Sequence, residues 1–277
     1  MIAVLITVHN RIEKTQACLS SLLAVLNSSD IAADIYLVDD GSTDSTAQIL
    51  AEKFPEVRVI QGDGTLFWNR GMHLAWKTAA ETADYAHYLW LNNDVCLFPQ
   101  AFTMFLKSGL LADDGILVGA CEDVNGVVTY SGYRMKNKYP GKRLSPSEEK
   151  QGCDYFNGNI VLISRAVFDR VGNLDPIFTH ALGDLDYGLR ARQLGINSFV
   201  FNQTVGQCDG HSALLSWCNP SNSLINRWSV FYTPLGGCPH LAFRFEQRHF
   251  GLFQAAYHFV TIHLRVLFPS IWLRRSR

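Results

Sequence analysis

Carboxylates at the ends of apolar runs are the groups in this chain whose type and spacing could do chemistry. Asp39 and Asp40 close the run Ile35-Tyr-Leu-Val38, ahead of Gly41 and Ser42. A carboxylate so placed can accept hydrogen bonds from a base N–H or a ribose hydroxyl, and it can equally supply turn and cap chemistry. Asn92-Asn93-Asp94 follows the run Tyr88-Leu-Trp-Leu91. A carboxylate ending such a buried strand is costly to leave unpaired, so it calls for a divalent cation or for backbone N–H groups. Asp184 and Asp186 lie in Gly183-Asp-Leu-Asp-Tyr-Gly-Leu-Arg190, where Leu185, Leu189 and Leu194 recur at helical spacing. Residues two apart on a helix diverge by about 200°, so these two carboxylates cannot share one task. Asp184, in the first turn, is placed to face a cleft; Asp186 either orders the turn or binds an acceptor molecule, and both also suit a helix N-terminus. His211, in Asp209-Gly-His-Ser212, is either a packed residue or a metal ligand.

Such residues need strand ends to hold them. Up to about residue 100, short β-branched or apolar runs alternate with helical spacing, the pattern of βαβ units and a mainly parallel sheet. Strands are expected near 2–8, 34–38, 57–61 and 86–91, with a later strand-like stretch near 198–207. Ile12, Leu19, Leu22, Leu23 and Leu26 mark a first helix, Ser42-Thr43-Asp44 cap a second running toward Phe54, and a third covers about 69–82. Doubly wound sheets bind ligands at the carboxyl ends of their strands. Three loops take that position: Thr7 to Arg11 (with His9 and Asn10), Asp39 to Ser42, and Asn92 to Asp94. Residues 134–153, dense in Pro, Gly and polar groups, read as a long surface loop of the kind that forms lids or specificity elements.

Composition narrows the class. With 277 residues, 48% hydrophobic and 18% charged, the chain suits one large domain or two halves sharing a core. Its seven cysteines lack any C-x-x-C pair or framework spacing, which points to a reducing cytoplasm. The run Ile2 to Val8 lacks a basic n-region and reads as a first strand, not a signal peptide. Tyr257 to Leu273 is interrupted by His258, His263, Arg265 and Pro269 and falls short of the ~20 apolar residues of a spanning helix. Net charge is −1, yet residues 210–277 carry seven arginines against Glu246, which is +6, leaving −7 for the rest. That basic, aromatic segment suits either an interfacial helix on anionic lipid or a packed helix with a solvated basic face. The near-neutral chain as a whole argues against a nucleic-acid partner.

In register, the stretches Val4-Leu-Ile-Thr-Val-His-Asn-Arg11, Leu37-Val-Asp-Asp-Gly-Ser-Thr-Asp44, Leu89-Trp-Leu-Asn-Asn-Asp-Val95, Asn157-Gly-Asn-Ile-Val-Leu-Ile163 and Leu174-Asp175 with Gly183 to Arg190 resemble the inverting nucleotide-sugar glycosyltransferases of family 2. The last stretch is similar to that of bacterial rhamnosyl- and galactofuranosyl-type members. The resemblance covers about residues 1–215 and implies a GT-A fold. A nucleotide-binding half would occupy 1–100 and an acceptor half 101–215, followed by a helical, basic-aromatic, membrane-associating extension over 216–277. It implies Asp184 as catalytic base, Asp94 and His211 on Mg²⁺ or Mn²⁺, and Thr7, His9, Asn10, Arg11, Asp39, Asp40 and Asn93 around the nucleotide. Trp68, Arg70, Asn157, Gly158, Asn159 and Asp186 are the candidates for donor sugar or acceptor. The family's Asp-x-Asp motif reads Asn92-Asn93-Asp94, His9 replaces an aromatic, and Gly183 stands where many relatives carry a second acid.

The expected reaction is inverting transfer from a UDP- or dTDP-sugar to a hydroxyl of a glycan or lipid-linked glycan, in surface polysaccharide synthesis, by a cytoplasmic enzyme peripheral to the membrane. Two rivals stand beside it. A sugar nucleotidyltransferase would open with a Gly-rich loop, which the Thr-Val-His-Asn-Arg strand end lacks, and a degenerate homologue would serve as a scaffold, with Asn92 and Gly183 marking decay. No G-x-G-x-x-G follows any expected strand, which disfavours an NAD-dependent oxidoreductase.

Overall fold

Strand β1 (Ile2–Val8) is apolar throughout except Thr7, because helices cover both of its faces. Ile2, Val4, Ile6 and Val8 turn toward one core, Ala3 and Leu5 toward the other. A computed structural model of the chain describes residues 1–110, 115–135, 139–210 and 214–273. Helix α1 (Ile12–Ser29) brings Cys18, Leu19, Leu22 and Val25 to the first core at helical spacing. Strand β2 (Ala33–Asp39) pairs parallel with β1, α2 (Thr46–Lys53) follows, and β3 (Val57–Gln61) pairs parallel with β2. Helix α3 (Phe67–Thr82) lays Met72, Ala75, Trp76 and Ala79 on the second core, and β4 (His87–Leu91) returns parallel to β1. The four parallel strands match the expected spans to within a residue or two. The second helix starts at Thr46, with the Asp44 carboxylate accepting the Thr46 N–H at 3.0 Å.

Beyond β4 the pairing becomes mixed. The chain adds β5 (Cys96–Leu97), α4 (Pro99–Leu110), β6 (Ile116–Glu122), β7 (Val128–Tyr130), β8 (Gly132–Arg134), β9 (Lys142–Arg143), β10 (Gln151–Cys153), β11 (Tyr155–Phe156) and β12 (Ile160–Ser164). Then come α5 (Arg165–Val171), α6 (Gly183–Gln193) and β13 (Ser198–Gln207). Among the described residues the main sheet runs β10-β13-β6-β12-β4-β1-β2-β3, and β8, β9 and β11 make a small second sheet. The segment 134–153 is therefore not a plain loop. β9 pairs with β8 in the small sheet and β10 joins the edge of the main one through β13, pairings that its polar composition concealed.

The chain divides into two compact units. The first comprises Met1–Pro176 and Gly183–Gly210; the second comprises Ile177–Leu182 and His211–Arg277. In the second, α7 (Leu224–Phe231), α8 (Pro239–Phe250), α9 (Leu252–Leu267) and α10 (Pro269–Leu273) follow a short 3-10 turn at Ser216–Cys218. Trp217, Cys218, Phe231 and Val266 form its small core, and buried Arg227 donates from Nε to the Val266 carbonyl at 2.9 Å. Phe178, fully buried, packs edge-on against Phe245 with centroids 6.3 Å apart. No helix among the described residues is long and apolar enough to cross a membrane.

Candidate active site

Topology alone brings five segments to one edge of the main sheet. β1, β2 and β4 are parallel, so the loops after Val8, Asp39 and Leu91 emerge together. β12 runs antiparallel to β4 with Ile160 opposite Leu91, which puts the preceding Asn157-Gly158-Asn159 at the same edge. The Asn92 N–H donates to the Asn159 carbonyl at 2.9 Å and closes the junction. β6 is antiparallel to β12 and β13 parallel to β6, so the chain after Gln207 ends there too.

Asp184 sits in the first turn of α6 with its side chain partly buried. Its two oxygens accept the N–H groups of Gly158 at 2.8 Å and Leu185 at 2.9 Å. Burial pushes its pKa up to about 6, against the pull of those N–H groups toward the charged form. Gly158 is wedged between this residue and Trp68, since a Cβ there would stand 2.5 Å from the Trp68 ring and 3.3 Å from the Asp184 Cβ. Trp68 in turn donates its indole N–H to Asn92 Oδ1 at 2.7 Å. One chain of contacts thus ties Asp184 to the Asn92-Asn93-Asp94 loop. Buried Asn157 Oδ1 has no hydrogen-bond partner among the described residues.

Asp94 is the open carboxylate of its motif. Its side chain is 20% exposed, Arg11 Nη1 lies 3.6 Å from Oδ2, and the Cys208 thiol donates to Oδ1 at 3.6 Å. Burial and the nearby Asp94 charge push the Cys208 thiol up to about 12, so it stays protonated and acts as a donor. Asn92 is committed to Trp68, and Asn93 donates from Nδ2 to Thr15 Oγ1 at 2.9 Å. Among the described residues no three His, Cys, Asp or Glu side chains gather as a metal cluster. The residues still fit Mg²⁺, or Mn²⁺ bound in the same way, which commonly takes one or two protein carboxylates and completes its shell with substrate phosphates and water. His211 lies outside the described residues.

The loops after β1 and β2 are bonded mainly to each other. Asn10 Oδ1 accepts the Thr43 and Asp44 N–H groups at 2.8 and 3.3 Å, and its own N–H donates to Ser42 Oγ at 2.8 Å. His9 Nδ1–H donates to the Asp40 carbonyl at 2.7 Å, which leaves Nε2 to accept from the Asn10 amide at 3.2 Å and fixes an exposed ring. Asp39 accepts the Ser42 N–H at 3.0 Å. Asp40, 3% exposed, accepts three backbone N–H groups, from Gly64 at 2.9 Å, Leu66 at 3.2 Å and Phe67 at 2.8 Å. It shapes the entry to α3, where Phe67 has a φ of 56°. Thr7 presses its hydroxyl on Gly71, where a Cβ would come within 2.2 Å of Oγ1. Asn10 and Arg11 are themselves left-handed, at φ 57° and 63°.

Asp186 takes the first of the two roles open to it. It is fully buried and accepts from Arg190 Nε at 2.8 Å, one helical turn on, while Arg190 also holds the Val171 and Asn173 carbonyls. It orders α6 and is not available to an acceptor. Arg70 donates from Nε to the Pro176 carbonyl at 2.8 Å. Gly183 has a steric reason: a Cβ there would stand 1.6 Å from Oδ1 of buried Asn69, whose Nδ2 donates to the Asp175 carbonyl at 2.8 Å. No second acid could be accommodated. Thr15, Asn69 and Cys208 were not legible as site residues, because each is an isolated residue in a helix or at a strand end with no motif around it.

A mainly parallel sheet whose strand-end edge gathers carboxylates, with a small second sheet of β8, β9 and β11, matches the GT-A arrangement of a glycosyltransferase. The chain belongs to glycosyl transferase family 2, whose model matches residues 3–172. It is 25% identical over 190 residues to the N-acetylglucosaminyl-diphospho-decaprenol L-rhamnosyltransferase of Mycobacterium tuberculosis, a match covering 58% of this chain and 61% of that one. The chain thus spans about three-fifths of that relative's length. Among solved structures, S. aureus TarS 1-349 superposes with a TM-score of 0.54 at 15% identity, over 75% of this chain and 60% of that one. The mannosyltransferase PcManGT of Pyrobaculum calidifontis, in complex with GDP-Man and Mn²⁺, superposes with a TM-score of 0.55 at 15% identity, over 99% and 74%. At this identity the structural likeness concerns the fold.

Proposed function

We propose that the chain transfers a sugar from a nucleoside-diphosphate sugar to a hydroxyl of a lipid-linked glycan, with inversion at the anomeric carbon and Asp184 as general base. The observation that carries this is the partly buried Asp184 carboxyl, raised to about 6 and held by two N–H groups at the strand-end edge that also bears Asp94. A carboxylate so tuned is charged at neutral pH and yet basic enough to take a hydroxyl proton.

In the reaction the acceptor oxygen forms its bond to the anomeric carbon as the bond from that carbon to the diphosphate breaks, and the acceptor proton passes to Asp184. Asn157 Oδ1 offers the incoming sugar a hydrogen-bond acceptor, and Trp68 gives it an apolar face beside Gly158. The exposed His9 ring and the Arg11 guanidinium, at the same edge, would meet the base and diphosphate of a donor. Mg²⁺ or Mn²⁺ held by Asp94 would neutralise charge on the departing diphosphate. The mycobacterial relative's name, a rhamnosyl transfer to a diphospho-decaprenol glycan, supports a deoxyhexose donor and a lipid-diphosphate acceptor.

Asp184→Asn tests the reading. Transfer is expected to fall at least about a thousandfold while nucleotide binding persists, general-base catalysis being worth about 10²–10⁴. In the native chain the rate should drop about tenfold per pH unit below about 6, as Asp184 takes up a proton. A variant with near-native turnover would refute the base; a native chain that binds no nucleotide with metal would favour a scaffold.

A further inference from the structure

The small sheet lines up three side chains on one of its faces. Tyr155 of β11 is paired with Tyr133 of β8, and Tyr133 with Arg143 of β9. Directly paired residues of antiparallel strands point to the same face, so Tyr155, Tyr133 and Arg143 form a single row. The next pair along, Arg134 with Lys142, falls on the opposite face. The row runs outward, with Tyr155 buried, Tyr133 half-buried and Arg143 exposed. The Tyr133 and Tyr155 rings stack with centroids 5.0 Å apart and planes 6° apart, and the Tyr155 hydroxyl accepts the Gly141 N–H at 2.7 Å.

The inner end of this row is tied to Asp184. The Asn157 N–H donates to the Ser131 carbonyl at 3.1 Å, two residues before Tyr133, and the Gly158 N–H donates to Asp184 at 2.8 Å. α6 lies on β11 so closely that a Cβ at Gly188, one turn beyond Asp184, would stand 2.8 Å from the Tyr155 Cα. Burial raises the Tyr133 phenol above its ordinary range, the Arg143 charge pulls it down, and the Asp184 charge pushes it further up. Tyr133 thus stands within the fields of both the base and the arginine. The guanidinium itself is fixed, since Nη1 donates to the carbonyl of buried Thr129 on β7. That bond and the Tyr133 oxygen leave others of its five N–H donors over. Asp154, next to Tyr155, pairs with Arg192 at 2.9 Å, and among the described residues no carboxylate pairs with Arg143.

We propose that Tyr133 and Arg143 form the acceptor subsite, with Arg143 binding a phosphate of an acceptor whose sugar is linked to a diphosphate. This rests on the reading of Asp184 as the base that meets the acceptor hydroxyl. With that hydroxyl at Asp184, a phosphate on the same sugar lies one ring away, along the row that leads from Tyr155 to Arg143. The Tyr133 phenol meets the sugar between the two. A planar guanidinium held at one corner presents paired N–H donors that match phosphate oxygens. The donor's diphosphate is the other source of that chemistry. Arg11, 3.6 Å from Asp94, already stands at the carboxylate assigned to its metal, whereas the phenol beside Arg143 is coupled to Asp184.

The test uses two acceptors built on N-acetylglucosamine, a short-chain alkyl diphosphate ester of the sugar and its neutral alkyl glycoside. The native chain should prefer the diphosphate by at least about tenfold in kcat/KM, the usual worth of a charge-assisted pair. Arg143→Gln should raise KM for the diphosphate about tenfold with kcat nearly native, while sparing the neutral glycoside and the unfolding midpoint. Calorimetric binding of the diphosphate ester in the presence of UDP should weaken by the same factor. Tyr133→Phe keeps the ring stack and should raise KM for both acceptors about fivefold, as for one lost hydrogen bond. UDP binding with Mn²⁺ should be native in both variants. Equal KM for the two acceptors in the native chain, or an Arg143→Gln effect of the same size on both, would overturn the proposal. Loss of UDP binding in Arg143→Gln would also overturn it and assign the arginine to the donor, and native KM values in Tyr133→Phe would remove that residue from the subsite. A native chain that binds UDP with Mn²⁺ but neither acceptor would sink the subsite and leave the transferase reading standing; one that binds no nucleotide would sink that reading itself.

Discussion

The strand-end loops on the two sides of β1 present carboxylates of the same kind with opposite fates. On the β2 side, one Asp39 oxygen accepts the Ser42 N–H of its own loop, and both Asp40 oxygens accept backbone N–H groups of the loop leading into α3. On the β4–β12 side, Asp94 keeps one oxygen facing only an exposed arginine and Asp184 is held half-tuned, with Asn157 unsatisfied nearby. The first side is closed by its own backbone, and the second is the one on which the proposed reaction depends. An aspartate at a strand end is therefore an offer of chemistry whose use depends on which N–H groups reach it first.

The comparison can be broken from its strong end. Asp94→Ala should lower metal-dependent kcat/KM by about a hundredfold or more, since a bound ion contributes several kcal/mol at a departing diphosphate. The unfolding midpoint should barely move, and a large drop would make Asp94 a structural residue like Asp40. Asp40→Ala should do the reverse, removing the acceptor of three part-buried N–H groups at about 1 kcal/mol each. Its midpoint should fall by about 6 °C or more on the usual scaling for a domain of this size; full stability with lost nucleotide binding would instead make it a ligand-binding group. Trp68→Phe keeps a ring against Gly158 and removes the N–H to Asn92, so kcat should fall about fivefold to tenfold, as for one lost hydrogen bond. The smallest effect is on stability. Because the folded state raises the Asp184 pKa above its ordinary value, this group stabilises the fold only in acid, and the contribution is lost as pH rises through about 6. Asp184→Asn should therefore be more stable than the native chain at pH 8, by about 1 kcal/mol once one lost N–H bond is allowed for, and no more stable at pH 4. Calorimetry at the two pH values measures it.

The parallel half of the fold was legible because β1, β2 and β4 are buried on both faces and its helices keep regular spacing, which leaves apolar runs divided by cap and turn residues. The mixed half was less so. β9 and β10 are short, polar and held by long-range pairing, so nothing local announces them. Among site residues, Asp94 and Asp184 stood out through strand and helix position, and their resemblance to a family supplied the roles. The Asp186 choice needed the buried Arg190 pair, and the reason for Gly183 needed the Asn69 amide lying 106 residues from its partner Asp175 in sequence. Neither contact has a periodicity.

Leu182 holds a left-handed φ of 76° where the chain passes from one unit back to the other, two residues before Asp184. The second unit is entered twice, at Ile177 and again at His211, so no single scissor cut releases it. Trimming or exchanging everything after residue 210 would strip Phe178 of the Phe245 ring and leave an orphaned stub spliced directly ahead of Asp184. Chimaeras that exchange the second unit must carry Ile177–Leu182 along with the new C-terminal portion.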